Sequence, residues 1–406
     1  MSMSMEPEGE QVPSTPASNG KKSNAGGESV VDQRMVAREF INGKPSDLQG
    51  VLQLAFHLGC SVGCAKVVNT ALQMDGLGGW ALLVLGQCMF GLVSSFYFAG
   101  FHEMIHGTAF ATMPLANLFS HIAGFAIFRG SNWYYYFHWH HHRFTNDPER
   151  DPELSGSTTD RIDPTADPTG AFRAMVLFLS GWPFGFERLP NMALHALGKP
   201  PSESWVDTDA KKAKVRLEYA FYLLGYLSLA AAGMARPASV GKALWYYWLL
   251  PHILGAGHLR YYQVAEHRGC KMGKFTDTNA WLVSRTRAHP KPESTRRKPA
   301  TQCPVSYRIP LTNARRACMQ TAPSSPLSPG TTITWWIYTR LAWNMPYHQE
   351  HHAWPNVPFY LLPELHRRVV EGGKKPKSGC NPEGDDGFLW IHRVQWRQAL
   401  VGLKAE

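Results

Sequence analysis

Apolar residues are gathered into long blocks that short polar breaks separate. Residues 51–72 and 77–101 form the first two blocks, and each is long enough to cross a hydrocarbon core, which takes about 20 helical residues. Residues 215–235 and 240–262 form two more blocks of similar length. Because only a few residues join the members of each pair, we expect two helical hairpins. The pattern predicts an all-α integral membrane protein with about four transmembrane helices.

Two other apolar blocks are shorter. Residues 113–128 and 171–186 do not reach the length of a membrane span, so we interpret both as interfacial helices. Trp245 and Trp248 belong to an aromatic run of the kind that is typical of a membrane–water interface. The predicted fold is therefore two transmembrane hairpins with interfacial helices beside them.

The two ends of the chain and its basic residues indicate the orientation. Residues 1–34 are polar and predict a disordered tail without a signal or transit peptide, and residues 371–406 predict a C-terminal cytosolic segment. We therefore expect a multi-pass protein of the endoplasmic reticulum membrane rather than of a plastid. Two hairpins return the chain to the side on which it starts, so the histidine-rich segments that follow them would form a cytosolic cap. Basic residues on that side agree with the positive-inside rule: Arg143, Arg150, Arg260, Arg268, Lys271 and Lys274.

The net charge of +10 does not indicate a nucleic-acid partner. Most of it comes from residues 288–330, where Lys and Arg outnumber the single acid, Glu293. The rest of the chain is mildly basic, which suits cytoplasmic loops beside a membrane. The cysteines form no CxxC pair and no evenly spaced framework, which favours a reducing compartment over a secreted fold built on disulfides.

Three clusters of histidine lie where the chain would leave the membrane. The first has the spacing HxxxH, and the second and third share the spacing HxxHH. On a helix, position i shares a face with positions i+3 and i+4, so each HxxHH cluster can direct imidazoles at one metal ion and lend one to a neighbouring ion. The candidate ligands are His102, His106, His138, His141, His142, His348, His351 and His352.

Eight imidazoles exceed what one ion binds, so the clusters predict two metal ions. Neutral imidazole suits Fe, Zn, Cu and Ni. A structural zinc site is disfavoured because no cysteine lies in any cluster. Isolated histidines are more often satisfied core or interface residues, and we place seven in that class: His57, His121, His195, His252, His258, His366 and His392.

The first cluster also matches the signature of another class of enzyme. It reads HEMIH, which fits the HExxH motif in which the Glu of a zinc protease is the general base. A membrane zinc metalloprotease is an alternative on this string alone, although it leaves the two HxxHH clusters unexplained. Glu103 and His106 also match the ExxH half-site of soluble di-iron bundles, which needs further ligand carboxylates in register.

The order HxxxH, HxxHH, HxxHH between paired apolar hairpins resembles the membrane fatty acid desaturase superfamily. Two strings are long enough to be specific for it, FHWHHHRFTNDPERDPEL at 137–154 and WNMPYHQEHHAWPNVPFYLL at 343–362. The resemblance runs from about residue 40 to residue 368, apart from residues 288–330. The superfamily also contains acyl hydroxylases, alkane monooxygenases, and carotenoid ketolases and hydroxylases.

The resemblance implies two iron ions, O2 as co-substrate, and desaturation of a fatty acyl chain in lipid metabolism. It adds His267 as a ninth ligand, just after the last predicted span, and it places Gln263 where acyl-CoA desaturases have an Asn that reaches a metal through water. Electrons would come from a separate donor, cytochrome b5 or ferredoxin, because the HPGG haem motif of fused cytochrome b5 domains is absent. The alternative within the superfamily is a hydroxylase or ketolase acting on a carotenoid or another long apolar substrate.

The second cluster has two carboxylates and a further histidine beside it. Asp147 and Asp151 can accept the N–H groups of ligating imidazoles, or they can cap a turn, and the spacing leaves both open. His140 occupies a variable position of the family pattern, so we leave it out of the ligand set.

A polar, proline-rich stretch at 288–330 precedes the third cluster. Related chains have a string of the type NTRTT here, whereas in this chain RTR at 285–287 and TTI at 331–333 stand on either side of the stretch. Removing it restores the continuous string RTRTTITWWIYTR. We hypothesise that the stretch is a retained intron or a gene-model error, the alternative being a genuine flexible cytosolic loop. The predicted membrane desaturase domain is therefore 35–287 together with 331–370.

Sequencing the transcript tests the hypothesis about the stretch at 288–330. We expect the mature message to join the codons of Arg287 and Thr331 directly, because the joined product restores the family string. A continuous message that encodes every residue between them would reject the hypothesis and establish the loop.

Overall fold

The computed structural model describes residues 40, 43–147, 149–155, 182–201, 203–267 and 336–371. Every regular element within these ranges is helical, and they contain no strand. The predicted all-α class is therefore confirmed for this part of the chain. Four predictions fall wholly or almost wholly outside it: the tail at 1–34, the interfacial helix at 171–186, the stretch at 288–330 and the segment at 371–406.

The helices of the first expected hairpin lie side by side. Helix α1 spans Asp47–Ala71 and helix α2 spans Gly76–Ser95. The side chain of Ser46 caps α1 by accepting a hydrogen bond from the amide of Gln49 at 3.4 Å. Gly76 turns the chain with a φ of 74°, a conformation that glycine adopts without steric cost. This tight connection brings α2 back along α1.

The next three helices are shorter, and two of them carry the first and second histidine clusters. Helix α3, Tyr97–Ile105, continues α2 after a break at Phe96 and carries the first cluster at its end. Helix α4, Met113–Ala126, has 14 residues, too few to cross a hydrocarbon core. Helix α5, Ser131–Phe144, carries the second cluster. The apolar block at 113–128 thus forms a short helix, in line with the prediction that it does not span.

The second expected hairpin begins after two more helices, α6 at Pro152–Ser155 and α7 at Trp182–Ala196. Helix α8 spans Asp209–Ala235 and is capped by Thr208. Its apolar side chains largely face away from the protein, and Phe221 remains 66% exposed. An exposed apolar helix of this length is typical of contact with lipid.

The returning arm of this hairpin is helical but irregular. Pro237–Gly241 and Trp245–Leu249 are π-helical turns, and helix α9 spans Leu250–His267. Where the regular backbone hydrogen bonds of a helix are interrupted, another group has to donate to the carbonyl oxygen that lost its partner. Gln87 of α2 does so by donating to the carbonyl oxygen of Tyr246 at 3.0 Å.

Helices α2 and α9 join the hairpins through a glycine contact. A Cβ atom on Gly255 would lie 2.3 Å from the carbonyl oxygen of Gly91, so only glycine permits this approach, as is typical of helix crossings in membranes. Further along both helices, Ser95 Oγ lies 2.8 Å from His258 Nδ1. The contacts advance in the same direction along both chains, so α2 and α9 run parallel. They therefore deliver the first cluster and His267 to the same end of the bundle.

Three helices in the described ranges are long and apolar enough to cross a membrane: Asp47–Ala71, Gly76–Ile105 and Asp209–Ala235. The expected fourth span, at 240–262, does not form one regular apolar helix, because the π turns interrupt it and Arg260 lies near its end. The structure thus shows an all-helical chain with three candidate spans.

The third cluster lies on the last described segment. Residues 336–341 are helical, and after a 3-10 turn at Met345–Tyr347 the cluster occupies helix α10, His348–Ala353. A second 3-10 turn at Phe359–Leu361 leads into helix α11, Leu362–Glu371. This short folded segment packs against the bundle end where α3 and α9 terminate, because Leu341, Trp343 and Phe359 belong to the main apolar core.

The helix of the second cluster is capped from another helix. Helix α5 begins after Gly130, and its first amides donate to the buried carboxylate of Glu218 in α8, Ser131 N at 2.6 Å and Asn132 N at 3.0 Å. His121 Nδ1 lies 2.9 Å from the same carboxylate. A negative charge at a helix N-terminus also interacts favourably with the helix dipole. Glu218 therefore ties α8 to the helix that presents the second cluster.

Replacing Glu218 with Leu should lower the melting temperature of the detergent-purified protein. The change leaves the amides of Ser131 and Asn132 at the start of α5 without their acceptor, a loss of about 1–2 kcal/mol of unfolding free energy. Glu218→Gln keeps an acceptor oxygen and should lose less. Thermal unfolding followed by circular dichroism measures both variants, and a Leu variant that melts with the wild type would contradict the capping role.

Candidate metal centre

The nine histidines expected as ligands lie close together in two adjacent groups. Site A is a set of five whose ligand atoms all lie within 4.8 Å of one another: His102, His106, His138, His142 and His351. Site B consists of two triplets that share His267 and meet the same distance limit: His141, His267 and His352, and Glu266, His267 and His348. The structure thus brings every candidate ligand to the same end of the helical bundle.

The helical repeat decides how the second cluster is divided. Successive residues of an α-helix are rotated by about 100°. The side chain at i+4 is therefore rotated by about 40° from that at i, and the side chain at i+3 by about 60° in the opposite sense. In α5, His138 and His142 are related as i and i+4, and both belong to site A. His141, at i+3, belongs to site B.

The third cluster is divided in the opposite sense. In α10, His348 and His352 belong to site B, and His351, at i+3, belongs to site A. The two sites are adjacent, since the rings of His142 and His352 stack with their centroids 4.1 Å apart. Each HxxHH cluster therefore supplies both sites, the arrangement that the spacing led us to expect.

The imidazole nitrogens of site A converge on one small volume. His138 Nε2 lies 2.8 Å from His106 Nε2 and 3.0 Å from His142 Nε2. His102 Nε2 and both ring nitrogens of His351 are buried and have no hydrogen-bond partner within the described ranges. Buried polar atoms are almost always satisfied. Unpartnered nitrogens that point into a cluster of imidazoles are suited to a metal ion.

Site B differs from site A because it contains a carboxylate. His348 Nε2 lies 3.0 Å from His267 Nε2, and Glu266 Oε1 lies 3.5 Å from His348 Nδ1. Glu153 Oε2 lies 3.9 Å from His267 Nε2. We did not predict Glu266 as a site residue. Its position next to His267, at the end of a largely apolar block, is the signal that could have identified it.

A carboxylate behind site A orients His102 and lies close to His351. Glu103 Oε1 lies 3.2 Å from His102 Nδ1 and 3.8 Å from His351 Nδ1, and Thr108 donates to the other oxygen. A carboxylate that binds the distal nitrogen fixes the ring and leaves Nε2 for an ion. The general base of a zinc protease faces the metal-bound water instead, so this placement of Glu103 does not support the protease alternative.

The structure assigns different roles to the two aspartates near the second cluster. Asp151 Oδ1 lies 2.9 Å from His141 Nδ1 and orients this site B residue. Burial alone would raise the pKa of Asp151, but its contacts with His141, with His267 and with the amide of Glu153 together lower it. Asp147 accepts hydrogen bonds from the amides of Glu149 and Arg150 and caps a turn. Of the two alternatives that the sequence left open, Asp147 takes the capping role, whereas Asp151 takes both, because it also accepts hydrogen bonds from the amides of Asn146 and Glu153.

Burial favours the neutral form of histidines at both sites. Burial lowers the pKa of His138, His348 and His352 well below the ordinary value for histidine, and the neighbouring imidazoles lower it further. Neutral imidazole is the form that binds metals. The residues at sites A and B therefore fit metal ions.

The remaining histidines and Gln263 lie outside both sites. Gln263 Oε1 accepts a hydrogen bond from Arg260 Nη1 at 3.1 Å. The ring of His140 packs on Phe144 with a centroid distance of 4.7 Å, so leaving it out of the ligand set agrees with its position. Six isolated histidines are described and belong to neither site: His57, His121, His195, His252, His258 and His366. His392 lies outside the described residues.

The described residues form helices that include candidate membrane spans, and they bring together two buried groups of histidine that could hold metal ions. The fatty acid desaturase family model matches residues 78–382, well over half of the chain. The chain belongs to the fatty acid desaturase family, whose members are oxidoreductases. The match contains all nine site histidines and begins further along the chain than the expected residue 40. No curated protein matches the chain.

The two aspartates provide a matched test of the orienting role. Asp151→Ala removes the acceptor of His141 and should weaken metal binding at site B by about 10-fold to 100-fold. Asp147→Ala removes a carboxylate of the same turn that contacts no site histidine, so its metal content should equal that of the wild type. Elemental analysis after competition with a chelator measures both variants. Equal metal loss in the two would contradict the role assigned to Asp151.

Proposed function

We propose that this protein is a membrane oxidoreductase that uses two iron ions and O2 to desaturate fatty acyl chains. The observation that carries the proposal is the division of the histidine clusters between two adjacent sites in a chain of the fatty acid desaturase family. Each site would hold one iron ion, with His267 as the ninth histidine ligand and Glu266 as an added carboxylate. Imidazole and carboxylate together suit iron.

The chain's own residues would hold the ions and keep their surroundings dry. When bound, the iron pair supplies the oxidising power that removes hydrogen from an unactivated C–H bond, with O2 as co-substrate. Glu103 and Asp151 accept the Nδ1–H groups of His102 and His141 and so direct each Nε2 at the site. His351 is fully buried between the sites, and such burial excludes water that would intercept an oxidising species.

Two adjoining cavities between α1, α2 and α9 support an apolar substrate. The outer cavity is bordered by Leu58 and Trp248, and the inner one by Phe98 and Leu259. Both are lined by Ser94, Ile127 and His252. Phe98 lies about one helical turn before His102, so the inner cavity approaches site A. An acyl chain lying in the outer cavity would point towards the metal centre, and the inner cavity, which has a volume of about 20 Å³ and is also bordered by Arg129 and Arg260, would have to widen to admit it.

The same proposal includes the topology and the partners. We propose four spans in two hairpins with a cytosolic histidine-rich cap, in the endoplasmic reticulum membrane rather than a plastid. Three candidate spans support this topology. The parallel course of α2 and α9 also favours this topology, because it brings the histidines to one end. Membrane lipid or another acyl carrier would supply the substrate, and cytochrome b5 or ferredoxin would supply electrons.

Expression of the chain without residues 288–330 in a heterologous host tests the activity. We expect lipid profiling to show new double bonds in the host's fatty acyl chains. Added oxygen on acyl chains or pigments would instead establish the hydroxylase or ketolase alternative. An unchanged lipid and pigment profile, with the protein present in the membrane and loaded with iron, would contradict the proposal.

A pair of histidine variants tests the ligand set within that host. His351→Ala removes a fully buried site A histidine and should abolish product formation, since single ligands of such a centre are indispensable. His140→Ala changes a histidine of the second cluster that belongs to neither site, and it should retain activity. Product yield per membrane-bound protein is the measurement. Turnover that survives in His351→Ala would refute the ligand assignment.

A further inference from the structure

His57 is a buried histidine inside α1 whose two ring nitrogens are both engaged. Its Nε2 lies 2.9 Å from the carbonyl oxygen of Val93, and its Nδ1 lies 3.2 Å from Trp343 Nε1. An indole N–H can only donate a hydrogen bond, so Nδ1 accepts and Nε2 carries the hydrogen that is donated to Val93. These two contacts select a single neutral tautomer. We classed His57 from sequence as a satisfied core residue, and its contacts agree.

Trp343, which donates a hydrogen bond to His57, lies shortly before the third histidine cluster in the chain. Trp343 is 1% exposed and precedes the turn that leads into α10. Trp343 and Asn344 have φ values of 51° and 58°, in the left-handed region that residues other than glycine rarely adopt. Such a conformation persists only where surrounding contacts enforce it. The hydrogen bond to His57 is one of these contacts.

The indole of Trp343 also rests directly on the helix of the first cluster. A Cβ atom on Gly100 would lie 2.7 Å from Trp343 Cε2, so a larger residue there would push the indole away. Gly100 belongs to α3 and lies just before His102. Trp343 is thus held between α1, through His57, and the backbone that presents the first cluster.

We propose that His57 is a positioning residue for site A. By accepting the Trp343 N–H, it holds the third cluster at the distance from α3 at which His351 meets His102, where the two ring centroids are 4.6 Å apart. The inference rests on the proposed metal centre and extends it, because it assigns a role to a histidine of α1 that belongs to neither site.

Hydrogen exchange on the metal-free protein tests the positioning role without activity. His57→Leu removes the acceptor of Trp343, so the backbone amides of residues 343–347 should exchange about 5-fold to 30-fold faster. His57→Gln offers an amide that can accept from Trp343 and donate to Val93, and it should restore slow exchange. Gln87→Leu removes another buried hydrogen bond of a membrane helix, the one to Tyr246, and should leave residues 343–347 unchanged.

Metal binding supplies the second readout. Reconstituted with Co²⁺, His57→Leu and Trp343→Phe should lose the site A ion about 10-fold to 100-fold more readily than the wild type, with a changed ligand-field spectrum. His57→Gln and Gln87→Leu should bind as the wild type does. Trp343→Phe keeps an aromatic ring at this position and removes the N–H group, so it tests that group even if the Leu variant fails to fold.

Two results would overturn the inference. One is wild-type exchange at residues 343–347 together with full Co²⁺ binding in Trp343→Phe or His57→Leu. The other is an equal rise in exchange in Gln87→Leu, which would indicate general loosening of the bundle. Failure of the proposed desaturase activity is distinguishable from both, because neither readout depends on iron, O2 or a substrate.

Discussion

The two-site arrangement depends on the angle between successive residues of an α-helix. Positions i+3 and i+4 differ by about 100° in direction, so the last two histidines of an HxxHH cluster cannot both face the same ion as the first. Helices α5 and α10 each use this divergence, and in opposite senses, so that site A receives His351 from α10 and site B receives His141 from α5. A change of one residue in either spacing would leave one site short of ligands.

This local geometry needs the clusters to be brought together by contacts far from them. The glycine contact between α2 and α9 sets the two helices parallel at close range and places α3 and His267 at one end. Glu218 of α8 caps α5 and so holds the helix that carries the second cluster. Orienting carboxylates then act on individual rings, as Asp151 does on His141. The metal centre is therefore supported by the membrane helices and is not confined to its histidine-rich segments.

Much of the fold and the convergence of the eight clustered histidines could be predicted because both depend on local periodicity, whereas His267 was expected only from the family resemblance. Apolar block length predicted the helices, and histidine spacing predicted which residues would converge. The π turns on either side of Lys242 were not predictable, because a contact such as that of Gln87 with the carbonyl oxygen of Tyr246 comes from a distant helix. Glu266 was missed because a single carboxylate beside His267 has no periodic signal. The different roles of Asp147 and Asp151 required the folded turn, since both lie near the second cluster in sequence.

The central claim is that two neighbouring sites, A and B, each bind iron. Anomalous diffraction at the iron absorption edge, measured on crystals of the purified membrane protein, tests it most directly. The account predicts two iron peaks, one among His102, His106, His138, His142 and His351 and one among His141, His267, His348, His352 and Glu266. A single metal peak, or a lone zinc ion held by His102 and His106, would contradict it.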